Sequence, residues 1–512
     1  MSKKIIACDL GTGGNKASLY DTDGTCLAST FVPYETFYPH TGRHEQRPMD
    51  WWIAVVESTR QLLRERGDEK KNISCIAFSG HSLGVVPIGK DGELLREKTP
   101  IWSDTRTEMQ VRRFFKKVDQ RTWYMTTGNG FPPPCYSVFK IMWYRDNEPE
   151  MFKGIRKIIG TKDYINFRLT GNLATDYSYA SGSGVYDLKN WRYAPQFIEA
   201  AELSEELFPE IVHSTHIVGE LTDDAAEILG LDRGVKVVCG GVDNSCMALG
   251  ARNILEGRVY TSLGSSSWIA VSSRNPILDF ENRPFVFTHV IPRMFTSAVS
   301  IFSAGSSLEW VKDNLCGNLL QNEADQDRDV YDLINELAAQ SPIGANKLLF
   351  NPSLAGGSSQ EASSHIRGAF VGLDLGHTQC DILRSCLEGI AMNLGLVLDV
   401  LKRFCKLSDG MLMVGGGSKS RLWRRIFADV YNMKILKTNI GQEAGSLGAA
   451  AVAAVGSELW RDFRRIDDIH EIQEVIKPNR GNVKKYRLLR PAFEEMRRSQ
   501  ASVGDLLHGI EL

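Results

Sequence analysis

The sequence predicts an α/β protein with two large domains. Its 512 residues exceed what a single hydrophobic core usually organises. Segments with the twofold periodicity of strands alternate with helical segments along the chain. A strand–turn–strand pattern at residues 4–20 recurs in layout, though not in identity, at residues 258–273. We therefore predict domains at residues 1–250 and 251–457, followed by a helical extension at 458–512.

Composition and charge exclude several classes of protein. The 60 basic and 62 acidic side chains give a net charge of −2, which favours neither a nucleic-acid partner nor a membrane-surface partner. The opening MSKKIIACDLG lacks the apolar core of a signal peptide, and no apolar run reaches the roughly 18 residues that cross a bilayer. The ten cysteines form no CxxC pair, which favours buried thiols over disulfides or zinc ligands. We expect a cytoplasmic protein.

The first domain opens with a predicted β-hairpin. A short apolar run indicates a strand at 4–10, alternation indicates a second strand at 16–20, and the segment DTDG is predicted to form a turn after it. A helix is predicted at 50–66, with Asp50 as its N-cap and Gly67 at its end. The remaining predicted elements of this domain are a strand at 73–78, helices at 104–118, 137–145 and 162–169, and a strand at 236–239 that leads into GGVDNSCMALGA.

The second domain repeats the hairpin and continues with helices. The polar stretch 321–329 is predicted to be a loop or the start of a helix. The run EAGSLGAAAVAAVG predicts a helix whose small residues let another backbone approach closely. The other predicted elements are helices at 304–315, 380–404 and 418–431 and a strand at 411–414.

The first glycine-rich turn, CDLGTGGNK, has the composition of a phosphate site. Gly11 and Gly13 match the start of a dinucleotide fingerprint, but Lys16 stands at its third glycine and a strand follows. Consecutive backbone N–H groups in such a turn can still form an anion cradle, to which Thr12 and Lys16 add donors. Asp9 beside bound phosphates indicates Mg²⁺ between the charges. An ordinary hairpin turn is the alternative.

Three later turns allow related chemistry. The segment TSLGSSS at 261–267 is either a second phosphate turn or a plain hairpin. The glycines at 415–417 either let a flat ring such as adenine lie against the backbone or only form a strand–helix turn, and Ser418 or Ser420 can cap the next helix. Asp243 in GGVDN follows a predicted strand and two glycines. It is either a helix N-cap or a general base for a substrate hydroxyl.

Two segments resemble a sugar site in composition. His81 and Ser82 in SGHSLG follow a predicted strand and can bind hydroxyl groups. Trp102, Asp104 and Arg106 in IWSDTRT provide an apolar face with polar neighbours. The alternatives are a core tryptophan, a helix N-cap and a surface ion pair.

In this order, the motifs resemble the FGGY family of carbohydrate kinases, within the actin-like ATPase superfamily. The resemblance implies two ribonuclease-H-like domains around a central cleft, with ATP and Mg²⁺ bound between them. It extends over nearly the whole chain and rests on CDLGTGGNK, SGHSLG, IWSDTRT, SVFKIMW, TDYSYASGSGVYD, GGVDN, YTSLGSSSW, FSAGSSLEWVKD, GAFVGLDLGHTQCDILRSCLEGIA, GGGSKSRLWRRIFADV and EAGSLGAA.

The resemblance also assigns roles to single residues. Asp243 corresponds to the catalytic base, and Asp9 and Asp243 to residues beside Mg²⁺. The candidates for binding the sugar are His81, Ser82, Trp102, Asp104, Arg106 and Asp243. The candidates for binding ATP are Thr12, Gly13, Lys16, Gly264, Ser265, Gly305, Gly416, Gly417 and Ser420.

The expected reaction is phosphorylation of a primary hydroxyl, with D-xylulose as the first candidate substrate. The pattern is most similar to the xylulokinase branch, which usually reads SGQMHG at 79–84. Here Leu83 stands in the place of the histidine and His81 in the place of the glutamine. Other ketoses, glycerol or tetritols, gluconate and a quorum-signal precursor remain alternatives. An actin-like ATPase switch and an inactive sugar sensor are alternatives of other classes. Relatives are often dimers, so a homodimer is expected by analogy.

Overall fold

The computed structural model describes residues 3–317, 329–358 and 360–511. Up to residue 256, the strands are β1 (Lys4–Leu10), β2 (Gly14–Asp21), β3 (Cys26–Pro33), β4 (Phe37–His40), β5 (Arg43–Gln46), β6 (Ile73–Gly80), β7 (Val86–Gly89), β8 (Thr99–Pro100), β9 (Ile155–Ile159), β10 (Ala174–Asp176), β11 (Tyr186–Asp187), β12 (Arg192–Tyr193), β13 (Glu210–Val212), β14 (Ile217–Glu220) and β15 (Lys236–Val242). The helices are α1 (Pro48–Glu65), α2 (Glu108–Phe114), α3 (Gln120–Thr127), α4 (Ser137–Asn147), α5 (Pro149–Gly154), α6 (Thr161–Thr170), α7 (Tyr177–Ala180), α8 (Pro195–Ala200), α9 (Asp223–Leu229) and α10 (Asp243–Gly250).

The second half of the chain contains nine further strands among its described residues. These are β16 (Val259–Leu263), β17 (Ser267–Ser273), β18 (Phe285–Thr288), β19 (Phe295–Ile301), β20 (Leu349–Asn351), β21 (Ala369–Val371), β22 (Gly410–Val414), β23 (Lys434–Thr438) and β24 (Ile472–Ile476). The helices are α11 (Gly305–Leu315), α12 (Val330–Gln340), α13 (Gln379–Phe404), α14 (Arg421–Tyr431), α15 (Ala444–Gly456), α16 (Arg465–Ile469) and α17 (Arg480–His508). Short 3₁₀ helices lie at Gly67–Asn72, Pro133–Cys135, Glu205–Leu207, Ala345–Lys347 and Gly416–Lys419.

The chain forms two compact units, and neither is continuous in sequence. Unit 1 consists of Met1–Glu256, Ser272–Ser297 and Glu443–His470. Unit 2 consists of Gly257–Val271, Ala298–Gln442 and Glu471–Leu512.

The main sheet of unit 1 has the strand order β14-β15-β6-β1-β2-β3. Strands β1, β6 and β15 are parallel, whereas β2 pairs antiparallel with β1. On one face, Ile6, Cys8 and Leu10 of β1 pack with Trp51 and Val55 of α1 in a buried apolar core. Helix α15 packs against the opposite face, as the alternation of strand side chains requires.

The sheet of unit 2 repeats this arrangement. Strands β16 and β17 form an antiparallel hairpin, and β22 and then β23 pair parallel beside β16. The edge strand β24 runs antiparallel to β23. The mostly buried helix α13 packs against α14 within this unit. Each unit therefore has a hairpin followed by parallel strands, of which the repeated pattern in the sequence indicated only the hairpin.

Several predicted boundaries are wrong for local physical reasons. The first helix begins at Pro48, and Arg47 rather than Asp50 is its N-cap, because proline fits the first turn, where no N–H partner is needed. The helix predicted from 104 begins at Glu108, and a 3₁₀ turn and the cap Ser420 precede the helix predicted from 418. The segment 458–512 contains strand β24 besides its helices.

Two further predictions concern the described part of the chain. The stretch 321–329 lies, apart from Asp329, outside the described residues. Within residues 3–317, 329–358 and 360–511, none of the helices combines the length and the apolar character of a bilayer-spanning segment.

Candidate active site

Three chain segments predicted to bind ligands meet at one edge of the unit 1 sheet. The register of the strands places Gly241, Ser79, Asp9 and Lys16 side by side in one row. The carboxyl ends of β1, β6 and β15 lie at this edge because these strands are parallel, and ligands of open α/β sheets bind there.

Asp9 lies in this row with its carboxylate held in place. Ser79 Oγ donates to Asp9 Oδ1 at 2.6 Å. A Cβ atom on Gly445 would lie 2.5 Å from Asp9 Oδ2, so the first turn of α15 passes directly beside the carboxylate. Burial raises the pKa of Asp9, although the Ser79 hydrogen bond and the charge of Lys16 oppose this. The Lys16 ammonium lies 3.7 Å from Glu443 Oε1.

Asp243 is the first residue of α10 and follows β15 directly. Val242 is the N-cap, so the alternative that Asp243 caps the helix is wrong. Asp243 Oδ1 accepts from the Asn244 backbone N–H at 2.8 Å. Burial raises the pKa of the Asp243 carboxyl to about 7, and the charge of Asp9 contributes in the same direction. A carboxyl group with this pKa can accept a proton near neutrality.

Asp9 and Asp243 supply carboxylate ligands for a magnesium ion but do not form a complete metal site by themselves. Among the described residues, no group of three or more His, Cys, Asp and Glu side chains could hold a metal. Magnesium usually binds through one or two carboxylates and takes its other ligands from water and phosphate oxygens. Asp9 and Asp243 match that donor set.

The loop after β6 contains the predicted sugar ligands. His81 is buried, its ring edge contacts Trp51 at 5.4 Å between centroids, and Thr161 Oγ1 lies 3.2 Å from His81 Nδ1. Burial lowers the pKa of His81 to about 4, so its imidazole is neutral at physiological pH. Ser82 is also buried. Leu83 is buried at φ 61°, a conformation that costs a non-glycine residue energy and is frequent at functional sites.

The segment IWSDTRT has two different environments. Trp102 is 37% exposed, and its Nε1 donates to Thr12 Oγ1 at 2.9 Å, so it is not a core residue. Asp104 and Arg106 form a buried ion pair at 2.7 Å, not a surface pair. Arg106 also pairs with Glu45 at 2.7 Å. Both charged side chains are thus engaged with protein groups, and their contact with a sugar stays a prediction.

Sequence reasoning missed two buried residues that connect these loops. Lys140 of α4 donates to Leu83 O at 3.1 Å and to Ile101 O at 2.6 Å, which joins the two sugar-side segments. Burial lowers the pKa of Lys140 to about 8. Its only signal in the sequence is a lysine inside the apolar run SVFKIMW. Gln46 Nε2 donates to Thr12 O at 2.7 Å, and no local pattern marks that residue.

The turn between β1 and β2 leaves open space at its tip. Gly13 is exposed, and apart from its two chain neighbours no described residue has an atom within 4 Å of the position of an added Cβ. Gly14, in contrast, has no room for a side chain, because a Cβ there would lie 2.6 Å from Val32 O. Thr12 and Gly13 therefore lie on a turn that could receive an anion, and Lys16 follows in strand β2.

Unit 2 contains a cavity of about 710 Å³, a volume typical of small-ligand sites. All six ATP-binding candidates of this unit line it: Gly264, Ser265, Gly305, Gly416, Gly417 and Ser420. Tyr331 and Asn335 of α12 and Trp423 of α14 also line the cavity and were not predicted.

Close backbone contacts shape the cavity. Gly264 and Gly416 follow the carboxyl ends of the parallel strands β16 and β22. A Cβ on Gly305 would lie 2.5 Å from Gly264 O, so only glycine allows α11 to begin against this turn. Ser420 Oγ donates to Asn335 Oδ1 at 2.6 Å and accepts from Trp423 N at 3.0 Å. These contacts give the glycines and the capping serine structural roles. Those roles are compatible with a nucleotide site.

Comparisons with known proteins agree over the length of the chain. Residues 4–250 match the model of the N-terminal domain of the FGGY family of carbohydrate kinases, and residues 259–457 match that of its C-terminal domain. The chain is 30% identical to a xylulose kinase of Bacillus subtilis over 494 residues, covering 95% of each protein. Two crystal structures from Lactobacillus acidophilus, a gluconate kinase and a ligand-bound xylulose kinase, each superpose with a TM-score of 0.90 at 26% identity and cover 99% of this chain and 100% of theirs.

Proposed function

Because the chain belongs to the FGGY family of carbohydrate kinases, we propose that it phosphorylates a ketopentose such as D-xylulose, giving xylulose 5-phosphate. Membership confirms the predicted family and its fold class of two ribonuclease-H-like domains, and the protein is a kinase that uses ATP. The observation that most supports a base-assisted transfer is the position of Asp243, a half-buried carboxyl that directly follows β15 at the sheet edge where Gly241, Ser79 and Asp9 lie in one row.

In the proposed reaction, Asp243 takes the proton of the attacking primary hydroxyl. The hydroxyl oxygen forms a bond to the γ-phosphorus, the bond between that phosphorus and the β,γ-bridging oxygen breaks, and ADP leaves. Catalysis of this step is mainly positioning and stabilisation of charge. Removing a general base typically costs about 10²–10⁴-fold in rate.

The other groups bind and orient the reactants. We assign the cavity of unit 2 to the adenosine part of ATP and the turn of Thr12, Gly13 and Lys16 to phosphate groups. Asp9 and Asp243 would hold Mg²⁺, which supplies positive charge against the phosphates when bound. His81, neutral because it is buried, can accept or donate a hydrogen bond to a sugar hydroxyl.

A second substrate has specific support. The gluconate kinase structure matches as well as the xylulose kinase structure does, and SGHSLG lacks the histidine usual in the xylulokinase branch. Gluconate carries a carboxylate, so its site needs a donor or a cation that a ketose site does not need.

The expected compartment is the cytoplasm, because all ten cysteines are free thiols.

The test is sugar-dependent ADP release by the purified protein with Mg-ATP. The panel contains D-xylulose, other ketoses, glycerol, erythritol, D-gluconate and a control without sugar. A rise of at least tenfold with D-xylulose alone supports the proposal. A rise with gluconate alone replaces the substrate and keeps the mechanism. Steady ATP hydrolysis that no sugar changes would refute sugar phosphorylation and favour a nucleotide switch.

The base is tested with the variant Asp243→Asn. We expect kcat to fall by about 10²–10⁴-fold while ATP still binds. The matched control is Asp232→Asn, which removes an exposed carboxylate in the turn before β15, the strand that leads to Asp243. Near wild-type turnover by Asp243→Asn, with the control also active, would show that another group accepts the proton.

A further inference from the structure

We propose that Asp176 and Ser178 are positioning residues that fix the backbone around Asp243. Both belong to the segment TDYSYASGSGVYD, to which the proposed mechanism assigns no role. The inference rests on the proposed function, because it takes Asp243 as the catalytic base.

Asp176 is the centre of a buried hydrogen-bond network in unit 1. It ends β10, is the N-cap of α7 and is completely buried. Its Oδ2 accepts from Ser178 Oγ at 2.5 Å and from Ser214 Oγ at 2.7 Å. One carboxylate oxygen thus holds two serines that come from different parts of the chain.

Each of these serines binds the backbone just before Asp243. Ser178 Oγ accepts from Val242 N at 2.9 Å, and Ser214 O accepts from Gly240 N at 3.0 Å. The backbone N–H groups on both sides of Gly241 are therefore bound to residues that Asp176 holds. Asp243 follows Val242 directly, so the position of its carboxyl depends on these bonds.

The backbone between the two serines has little room to move. Gly240 lies at a bulge of β15 with φ 76°, and a Cβ on it would lie 2.0 Å from Phe78 O. A Cβ on Gly241 would lie 3.2 Å from Ser178 Oγ. Gly240 and Gly241 therefore pack directly against β6 and against the hydrogen-bond network. A displacement of the strand or of the network would be transmitted through these glycines to Asp243.

A buried cation makes the carboxylate possible. Lys162 Nζ lies 3.0 Å from Asp176 Oδ1 and 2.6 Å from Asp163 Oδ1, and all three side chains are buried. Burial opposes the charge of Lys162, but Asp163 and Asp176 together raise its pKa well above the usual value. An isolated buried carboxylate would be very costly. The ion cluster therefore keeps Asp176 available as an acceptor for the two serines.

The first test compares two variants that each remove one buried hydroxyl. Ser178→Ala leaves Val242 N without its acceptor. Thr175→Val is the matched control, because Thr175 Oγ1 donates to Asp163 Oδ2 at 2.7 Å in the same ion cluster but does not bind the backbone before Asp243. Since a misplacement of about 1 Å can cost 10²-fold in rate, we expect Ser178→Ala to lower kcat by about 10–100-fold. KM for ATP should stay within about twofold, and the control should keep kcat within about twofold.

The second test asks whether Ser178 acts through Asp243. In the Asp243→Asn background, adding Ser178→Ala should lower the residual single-turnover rate by less than about twofold, because the group it positions is already absent. A merely structural residue would lower the rate by the same factor in both backgrounds. The fraction of folded protein in each sample is determined from the stoichiometry of nucleotide binding.

Three results would overturn the inference: an unchanged kcat in Ser178→Ala, an equal loss in Thr175→Val, or a full additional loss in the double variant. If Ser178→Ala does not fold, Ser214→Ala replaces it, because its carbonyl still binds Gly240 N. We then expect kcat to fall by about 3–10-fold, and an unchanged kcat refutes the proposal. An active Asp243→Asn would refute the proposed base itself, whereas an inactive Asp243→Asn with an unaffected Ser178→Ala would refute only this inference.

Discussion

The variant Gly448→Ala tests how the helix that begins with Asp243 is held in place. Helices α10 and α15 of unit 1 pack with their backbones in direct contact. A Cβ on Gly448 would lie 1.9 Å from Cys246 O, and a Cβ on Gly250 would lie 1.8 Å from Ala444 O. Since the obstructing atoms belong to the backbone, no side-chain rotation can make room for a methyl group.

The magnitude follows from these contacts. The distance from the new Cβ to Cys246 O must rise from 1.9 Å to at least 3.0 Å, so the two helices must separate by about 1 Å. Overpacking of this kind typically costs about 1–3 kcal/mol and occasionally more. Alanine regains about 1 kcal/mol of helix propensity relative to glycine. Because a contact of 1.9 Å with a backbone oxygen belongs at the upper end of the overpacking range, we expect a net destabilisation of about 2 kcal/mol and a Tm lower by a few degrees.

Gly448→Ala should lower kcat by more than its loss of folding stability alone would cause. A shift of about 1 Å at α10 moves Asp243, and misplacements of this size can cost about 10²-fold in rate. The assay measures Tm by circular dichroism and kcat by ADP release. Gly395→Ala in α13 is the control, because it has the same propensity gain and its nearest neighbour is the side-chain atom Val430 Cγ1 at 3.2 Å. Wild-type Tm and kcat in Gly448→Ala would refute the reasoning.

Two further variants test the loop after β6, which contains His81, and the cavity of unit 2. Because burial lowers the pKa of His81 to about 4, the folded state binds fewer protons than the unfolded state between pH 6.5 and 4, and stability is lost as the pH falls through this range. Between pH 7 and pH 5, the free energy of unfolding measured in urea should therefore fall by about 2 kcal/mol less in His81→Gln than in the wild type. An identical pH dependence in the two proteins would contradict the assignment of His81 as a buried, neutral imidazole. Gly416→Leu should raise KM for ATP at least tenfold at unchanged Tm. Among the described residues beyond its chain neighbours, Gln442 alone has an atom within 4 Å of the Cβ position, Nε2 at 3.8 Å, so the side chain can extend into the cavity. An unchanged KM would place the nucleotide elsewhere.

The strands and helices next to the glycine-rich turns could be predicted from the sequence because their signals are local. The apolar run of β1 and the alternation in β2 are typical of strands, and the small residues of α15 indicate the close helix contact that Gly448 makes. The boundaries failed where a neighbouring group decides them, as at Pro48, which begins a helix two residues before the predicted Asp50. No local pattern indicates that α15, far along the chain, belongs to unit 1 with Asp9.

The sequence alone determined the family, the types of secondary structure and the glycine-rich turns, because periodicity and backbone requirements are properties of short segments. Only the tertiary structure decided which side chains meet. The register of parallel strands places Asp9 beside Ser79, burial raises the pKa of Asp243, and Lys140 joins two loops by bonds to their carbonyl groups. Proximity and desolvation depend on residues that are far apart along the chain, so no short segment contains that information.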